Sequence, residues 1–203
     1  MKTVLVSQRV DVLPARDERR DAVDQRLLDW VASCDCLPVP VPNRIERLPT
    51  LLASLRPAAI VLSGGNDLSK YGGDAPERDA VERALITHAT EQQLPLFALC
   101  RGAQLLLDVF GSQLQRVTGH VNSRHPLVVG GVSCVVNSYH TWACRDLMPP
   151  LRALARSADG TVEAFCHPEL PLLGVMWHPE REQPHSAVDL NLFRRLLNRE
   201  QLQ

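Results

Sequence analysis

Leu96-Phe97-Ala98-Leu99-Cys100-Arg101-Gly102-Ala103-Gln104 is the stretch on which the reading of this chain turns. Pro95 to Leu99 is apolar throughout and short, as expected of a strand buried on both faces. Gln104 to Phe110 then reads as a helix stopped by Gly111. Cys100 stands at the junction. A tight strand-to-helix turn needs small residues two before and two after its apex, here Ala98 and Gly102. Such a turn lifts the sulfur above the sheet edge and places it at a helix N-terminus, where the dipole and free N–H groups favour thiolate. The N–H of Arg101 is then available to an oxyanion. A lone cysteine at a strand end is more often a core residue, so the rest of the chain decides.

Upstream, Thr3–Ser7, Leu37–Val41 and Ala58–Leu62 read as strands, the third running into Ser63-Gly64-Gly65-Asn66-Asp67. Val23, Leu27, Trp30, Val31 and Cys34 recur at helical spacing and predict a helix from about Asp21. Leu48 to Leu55 is a second, short helix. The mixed-charge run from Arg16 to Asp21 reads as a solvated loop or helix start. Asp74-Ala75-Pro76-Glu77 has the form of a capping box before a helix carrying Val81, Leu85, Ile86 and Ala89 on one face. Strands alternating with helices imply a parallel sheet covered on both sides. After Gly111 the pattern changes. Val128-Val129-Gly130-Gly131-Val132 and Ser157-Ala158-Asp159-Gly160-Thr161 are hairpin signals, and Ser186 caps a closing helix with Leu190, Phe193, Leu196 and Leu197. The expected fold is α/β: one doubly wound, mostly parallel sheet with helices on both faces and an antiparallel extension, in a single domain spanning 1–203.

Composition narrows the function. The chain has 203 residues, 22 basic against 23 acidic, for a net charge of −1, so no basic face announces nucleic acid. The N-terminal apolar stretch is too short for a signal sequence and no run approaches a membrane span, which predicts a cytoplasmic protein with no membrane partner. Five of the six cysteines then read as ordinary thiols; Cys34-x-Cys36 is too tight for a zinc pair. His120 and His125 have no third ligand near them in sequence, so no metal and no cofactor is expected. The segment Gly119–His125, with two histidines and Arg124, reads equally as an anion-binding lid or as surface.

A thiol nucleophile needs a base. Leu172–Trp177 is another strand-like run, and it ends in His178-Pro179-Glu180. Pro179 fixes the backbone so that Glu180 can accept from the ring nitrogen facing away from the sulfur.

Ser63-Gly64-Gly65, Leu99-Cys100-Arg101-Gly102-x-Gln104 and Trp177-His178-Pro179-Glu180, in that order, resemble the class I glutamine amidotransferase superfamily and cover most of the chain. Cys-Arg-Gly, Tyr71-Gly72 and Arg78-Asp79 resemble its γ-glutamyl hydrolase branch, peptidase family C26. The resemblance implies a triad of Cys100, His178 and Glu180, and oxyanion donors from the backbone of Gly65 and Arg101. It also implies glutamyl contacts from Gln104 and from the loop Asn137-Ser138-Tyr139-His140, with Ser138, Tyr139 and His140 binding largely through backbone. Ala98 replaces the family's usual glycine, and Thr141 stands where many relatives carry a histidine-histidine-glutamine run.

The activity implied is hydrolysis of a small-molecule γ-glutamyl amide through a glutamyl thioester. The Ser63–Leu68 and Gly119–His125 segments look like those of small hydrolases acting on γ-glutamyl-CDP-amidate in surface-polysaccharide decoration, with Arg78 and Arg124 as candidates for the diphosphate. A glutaminase subunit feeding ammonia to a separate synthetase partner would use the same triad. An intact triad speaks against a non-enzymatic relative.

Overall fold

A computed structural model describes residues 1–201. The chain opens with β1 (Lys2–Ser7), β2 (Arg9–Leu13) and β3 (Glu18–Ala22), followed by α1 (Gln25–Ala32), β4 (Cys36–Val41), α2 (Leu48–Leu55) and β5 (Ala59–Leu62). Then come α3 (Pro76–Glu91), β6 (Leu96–Leu99), α4 (Arg101–Val109) and β7 (Gln115–Arg116). The second half holds β8 (Val121–Val129), β9 (Val132–Tyr139), β10 (Trp142–Ala143), β11 (Arg152–Arg156), β12 (Val162–Cys166), β13 (Leu172–Val175) and α5 (Ala187–Leu197).

Seven strands form the main sheet in the order β11-β12-β13-β6-β5-β1-β4. The pairs from β4 through β13 are parallel, while β12 and β11 add antiparallel. This is the doubly wound sheet with its antiparallel extension that the sequence predicts. The parallel strands are buried on both faces because successive side chains feed two cores. Leu5, Ile60, Leu62, Leu96 and Ala98 pack with α2, α3 and α4. Val4, Val6, Val61, Phe97 and Leu99 pack with α1 and α5, where Trp30 stacks on Phe97 and Phe193 packs against both at an angle. Pro38 and Pro40 are tolerated in β4 because it is an edge strand. Among the described residues no helix is long and apolar enough to cross a membrane.

Two local expectations fail. The charged run at Arg16–Asp21 is largely strand: β3 pairs with β2 as a hairpin, and α1 starts only at Gln25, capped by the Asp24 carboxylate. Tertiary pairing wins there, with Asn66 exchanging two hydrogen bonds with the backbone of Val10 and Arg19 binding Glu77. The capping box at Asp74 is not formed either. Ala75 is the N-cap of α3 with no side-chain cap; Pro76 supplies the first turn, and the carbonyl of Asp74 accepts from Arg19. The two glycine-marked hairpins form as expected, joining β8 to β9 and β11 to β12.

Candidate active site

The strand order reverses at β1, whose neighbours β4 and β5 follow it in sequence on opposite sides. Ligands of open α/β sheets bind beyond the carboxyl ends of strands at such a point. Here the carboxyl ends of β5, β6 and β13 lead into Ser63-Gly64-Gly65, Cys100 and His178 respectively.

Cys100 is the N-cap of α4, with φ +50° and ψ −110°, a conformation unusual for a non-glycine residue. Its sharp turn requires a glycine at 102: a Cβ there would lie 2.5 Å from the carbonyl oxygen of Leu62. The tightest crowding at this turn is therefore against Leu62 of the neighbouring strand β5. Arg101 occupies the first helical position, where a backbone N–H has no intrahelical acceptor.

His178 is buried, and its Nδ1 lies 2.7 Å from Glu180 Oε1. Its ring also interacts with the Cys100 sulfur, which lines the same pocket. Burial pushes the imidazole pKa down, but the Cys100 sulfur and the Glu180 carboxylate outweigh it and raise the pKa to about 9. Gly64 is packed against the same ring; a Cβ there would fall 2.7 Å from His178 Cε1. Asn137 holds the His178 peptide from the other side, donating to its carbonyl at 2.8 Å and accepting from its N–H at 2.9 Å.

These groups open into a pocket of about 370 Å³ lined by residues including Gly65, Asn66, Asp67, Cys100, Gln104, Tyr139, His140, Thr141, His178 and Arg181. That volume suits a small ligand. The Gln104 amide donates to the carbonyl of Trp142, joining α4 to the segment after His140.

Two expected ligand contacts, those of Arg78 and Arg124, are displaced. Arg78 does not face the pocket. It is fully buried, pairs with Glu82, and donates to the carbonyls of Ser63 and Gly65. Burial lowers its pKa to about 10, which still leaves it charged at neutral pH. Its guanidinium shapes the glycine loop and cannot reach a diphosphate. Ser138 is also fully buried, and its hydroxyl donates to the carbonyl of His120 at 2.7 Å. Arg124 lies on β8 beside Glu182, at 3.1 Å, outside the residues that line the pocket. Two arginines border the pocket: Arg101, whose guanidinium is paired with Asp79 and Glu82, and Arg181, whose guanidinium rests 4.5 Å above the Tyr139 ring. Sequence reading passed over Arg181 and the bracing role of Asn137, although Arg181 directly follows the His-Pro-Glu signal.

His120 is likewise buried, packed against His125 and His140. The expected lack of a third ligand does not hold: Glu163, from β12, completes a close group with His120 and His125.

The doubly wound sheet, the cysteine elbow and the histidine–carboxylate pair define a class, and residues 18–195 match the family profile for glutamine amidotransferase class-I. The chain belongs to the class I glutamine amidotransferase family. It is 36% identical to the γ-glutamyl-CDP-amidate hydrolase of Campylobacter jejuni, over 65% of this chain and 66% of that protein, just under two thirds of its length. It is 29% identical to the γ-glutamyl-γ-aminobutyrate hydrolase of Escherichia coli K12, over 95% of this chain and 93% of that protein. A glutamine amidotransferase structure from Thermotoga maritima superposes with a TM-score of 0.66 at 16% identity, covering 98% of this chain and 84% of that one, which speaks to the fold alone.

Proposed function

We propose that this chain is a cysteine hydrolase of γ-glutamyl amides, with Cys100, His178 and Glu180 as its triad. The observation that carries the proposal is the buried His178, held between Glu180 at 2.7 Å and the sulfur of an elbow cysteine, at the floor of a small pocket.

The chemistry follows from that geometry. The Cys100 sulfur, its proton passed to His178, attacks the side-chain carbonyl carbon of the γ-glutamyl group and forms a C–S bond. The N–H groups of Gly65 and Arg101 are the candidate donors to the oxyanion. As the C–N bond breaks, His178 returns the proton to the departing amine, leaving a glutamyl thioester. Water then attacks the thioester, His178 accepts its proton, and the C–S bond breaks to release glutamate and restore the thiol. Glu180 orients the ring and stabilises its cationic form. Tyr139, His140 and Gln104 border the space for the glutamyl group.

For the leaving group, the likeness to the C. jejuni enzyme favours a γ-glutamyl-CDP-amidate, whose hydrolysis would release a cytidine diphosphoramidate. Arg181, at the pocket, is the residue suited to a negatively charged amine. The test is glutamate release from γ-glutamyl-CDP-amidate, γ-glutamyl-γ-aminobutyrate and glutamine side by side. Faster turnover of a larger amide than of glutamine supports the hydrolase reading. Preference for glutamine, rising when a synthetase partner is added, would replace it with ammonia donation.

A further inference from the structure

Behind the Ser138–His140 segment lies a cluster that the triad does not use: His120, His125, His140, Glu163 and Asp159. His120 Nδ1 stands 3.1 Å from Glu163 Oε1, yet neither atom has a hydrogen-bond partner, because the two are not aimed at one another. Glu163 Oε2 is 3.5 Å from His140 Nε2 and is equally unsatisfied. His120, His140 and Glu163 are all at least nine-tenths buried. Orphaned buried nitrogen and carboxylate oxygen atoms are costly unless something else satisfies them.

We propose that His120, His125 and Glu163 form a binding site for one divalent transition-metal cation of the zinc class. The candidate ligand atoms all lie within 4.8 Å of one another. Ligands bound at about 2.0–2.2 Å in a tetrahedral site sit about 3.3–3.5 Å apart, so the His120–Glu163 edge is already close to that spacing. The second observation is on the far side of the ring. His120 Nε2 lies 3.3 Å from the Asp159 carboxylate. A histidine bound to metal through one nitrogen characteristically gives its other N–H to a carboxylate, and Asp159 is placed to receive it. His125 is the half-buried member, at the edge open to solvent, which leaves a route of entry and a fourth position for water. The cation would join β8 to β12. It would also fix the carbonyl of His120, which accepts from the Ser138 hydroxyl and the His140 N–H.

The test uses chelator-stripped Cys100→Ala protein, in which the pocket thiol cannot compete, with Zn²⁺ alone as the probe. Equilibrium dialysis should give one ion per chain, and the melting temperature should rise with Zn²⁺, as it does for any ligand that binds only the folded state. Adding His125→Ala, a change at a half-buried rim position, should weaken binding at least about tenfold and remove the melting shift, with an unchanged circular dichroism spectrum. Glu163→Gln should do the same. No stoichiometric Zn²⁺, or binding indifferent to His125→Ala, would overturn the site and leave a polar network only.

Discussion

Asn137 grips His178 by both ends of its backbone unit, donating to the carbonyl at 2.8 Å and accepting from the N–H at 2.9 Å. The side-chain amide thus sets the position of the ring that faces Cys100. Asn137→Ala leaves the buried His178 N–H unpaired, while the His178 carbonyl keeps the Arg181 N–H, at a cost of about 1–3 kcal/mol if water does not replace the amide. The expected outcome is a lower melting temperature and a fall in kcat larger than any change in KM. Thermal melts with steady-state kinetics check this; unchanged kcat would show that the ring is fixed by other contacts.

Gly64 and Gly102 separate chemistry from folding. Gly102→Ala drives a Cβ against the backbone of Leu62 and should destabilise by about 1–3 kcal/mol, as overpacked cores do. Gly64→Ala instead places a Cβ against the His178 ring and near the Cys100 side chain. That variant should still fold and be nearly inactive. Denaturant unfolding and glutamate release, measured on both, distinguish the two.

The His178 pKa of about 9 gives a pH signature. The folded value lies above the ordinary 6.5, so the bound proton stabilises the fold fully below pH 6.5, and that contribution is lost as pH rises through about 9. NMR titration of the ring should find it protonated at pH 7.5. In Cys100→Ala the sulfur's share disappears and the titration should move down. A ring already neutral at pH 7 in the wild type would refute the coupling.

Arginines at 78 and 181 should behave in opposite ways. Arg78→Ala takes one of two guanidinium partners from the buried Glu82, which keeps Arg101 and the Ser7 hydroxyl, and it releases the carbonyls of the glycine loop, so a loss of about 1–3 kcal/mol of stability is expected. Arg181→Ala should spare the fold and raise KM for an amide bearing a diphosphate about ten- to a hundredfold, the worth of a lost charged hydrogen bond, with little effect on glutamine. Equal KM changes for both substrates would make Arg181 a structural partner of Tyr139.

The parallel strands were legible because both faces are buried and leave unbroken apolar runs, and the elbow because Cys100 and Gly102 sit where one such run stops. His178 and Glu180 followed from a short local signal. What escaped reading depends on contacts distant in sequence. Nothing near Arg16–Asp21 announces that it pairs with β2 and ties to Glu77. Arg78 reads as a candidate for the diphosphate until Glu82 and the carbonyls of Ser63 and Gly65 are seen around it. Glu163 lies far along the chain from His120 and His125, and only the packing of β12 beneath the β8 segment unites them.

The central claim is that Cys100 carries the glutamyl group. Wild-type protein turning over a γ-glutamyl amide, acid-quenched and analysed by peptide mass spectrometry, should show one glutamyl adduct on the peptide containing Cys100, and Cys100→Ala should show neither adduct nor glutamate release. An adduct on Cys34 or Cys144 instead, or sustained turnover by Cys100→Ala, would contradict it.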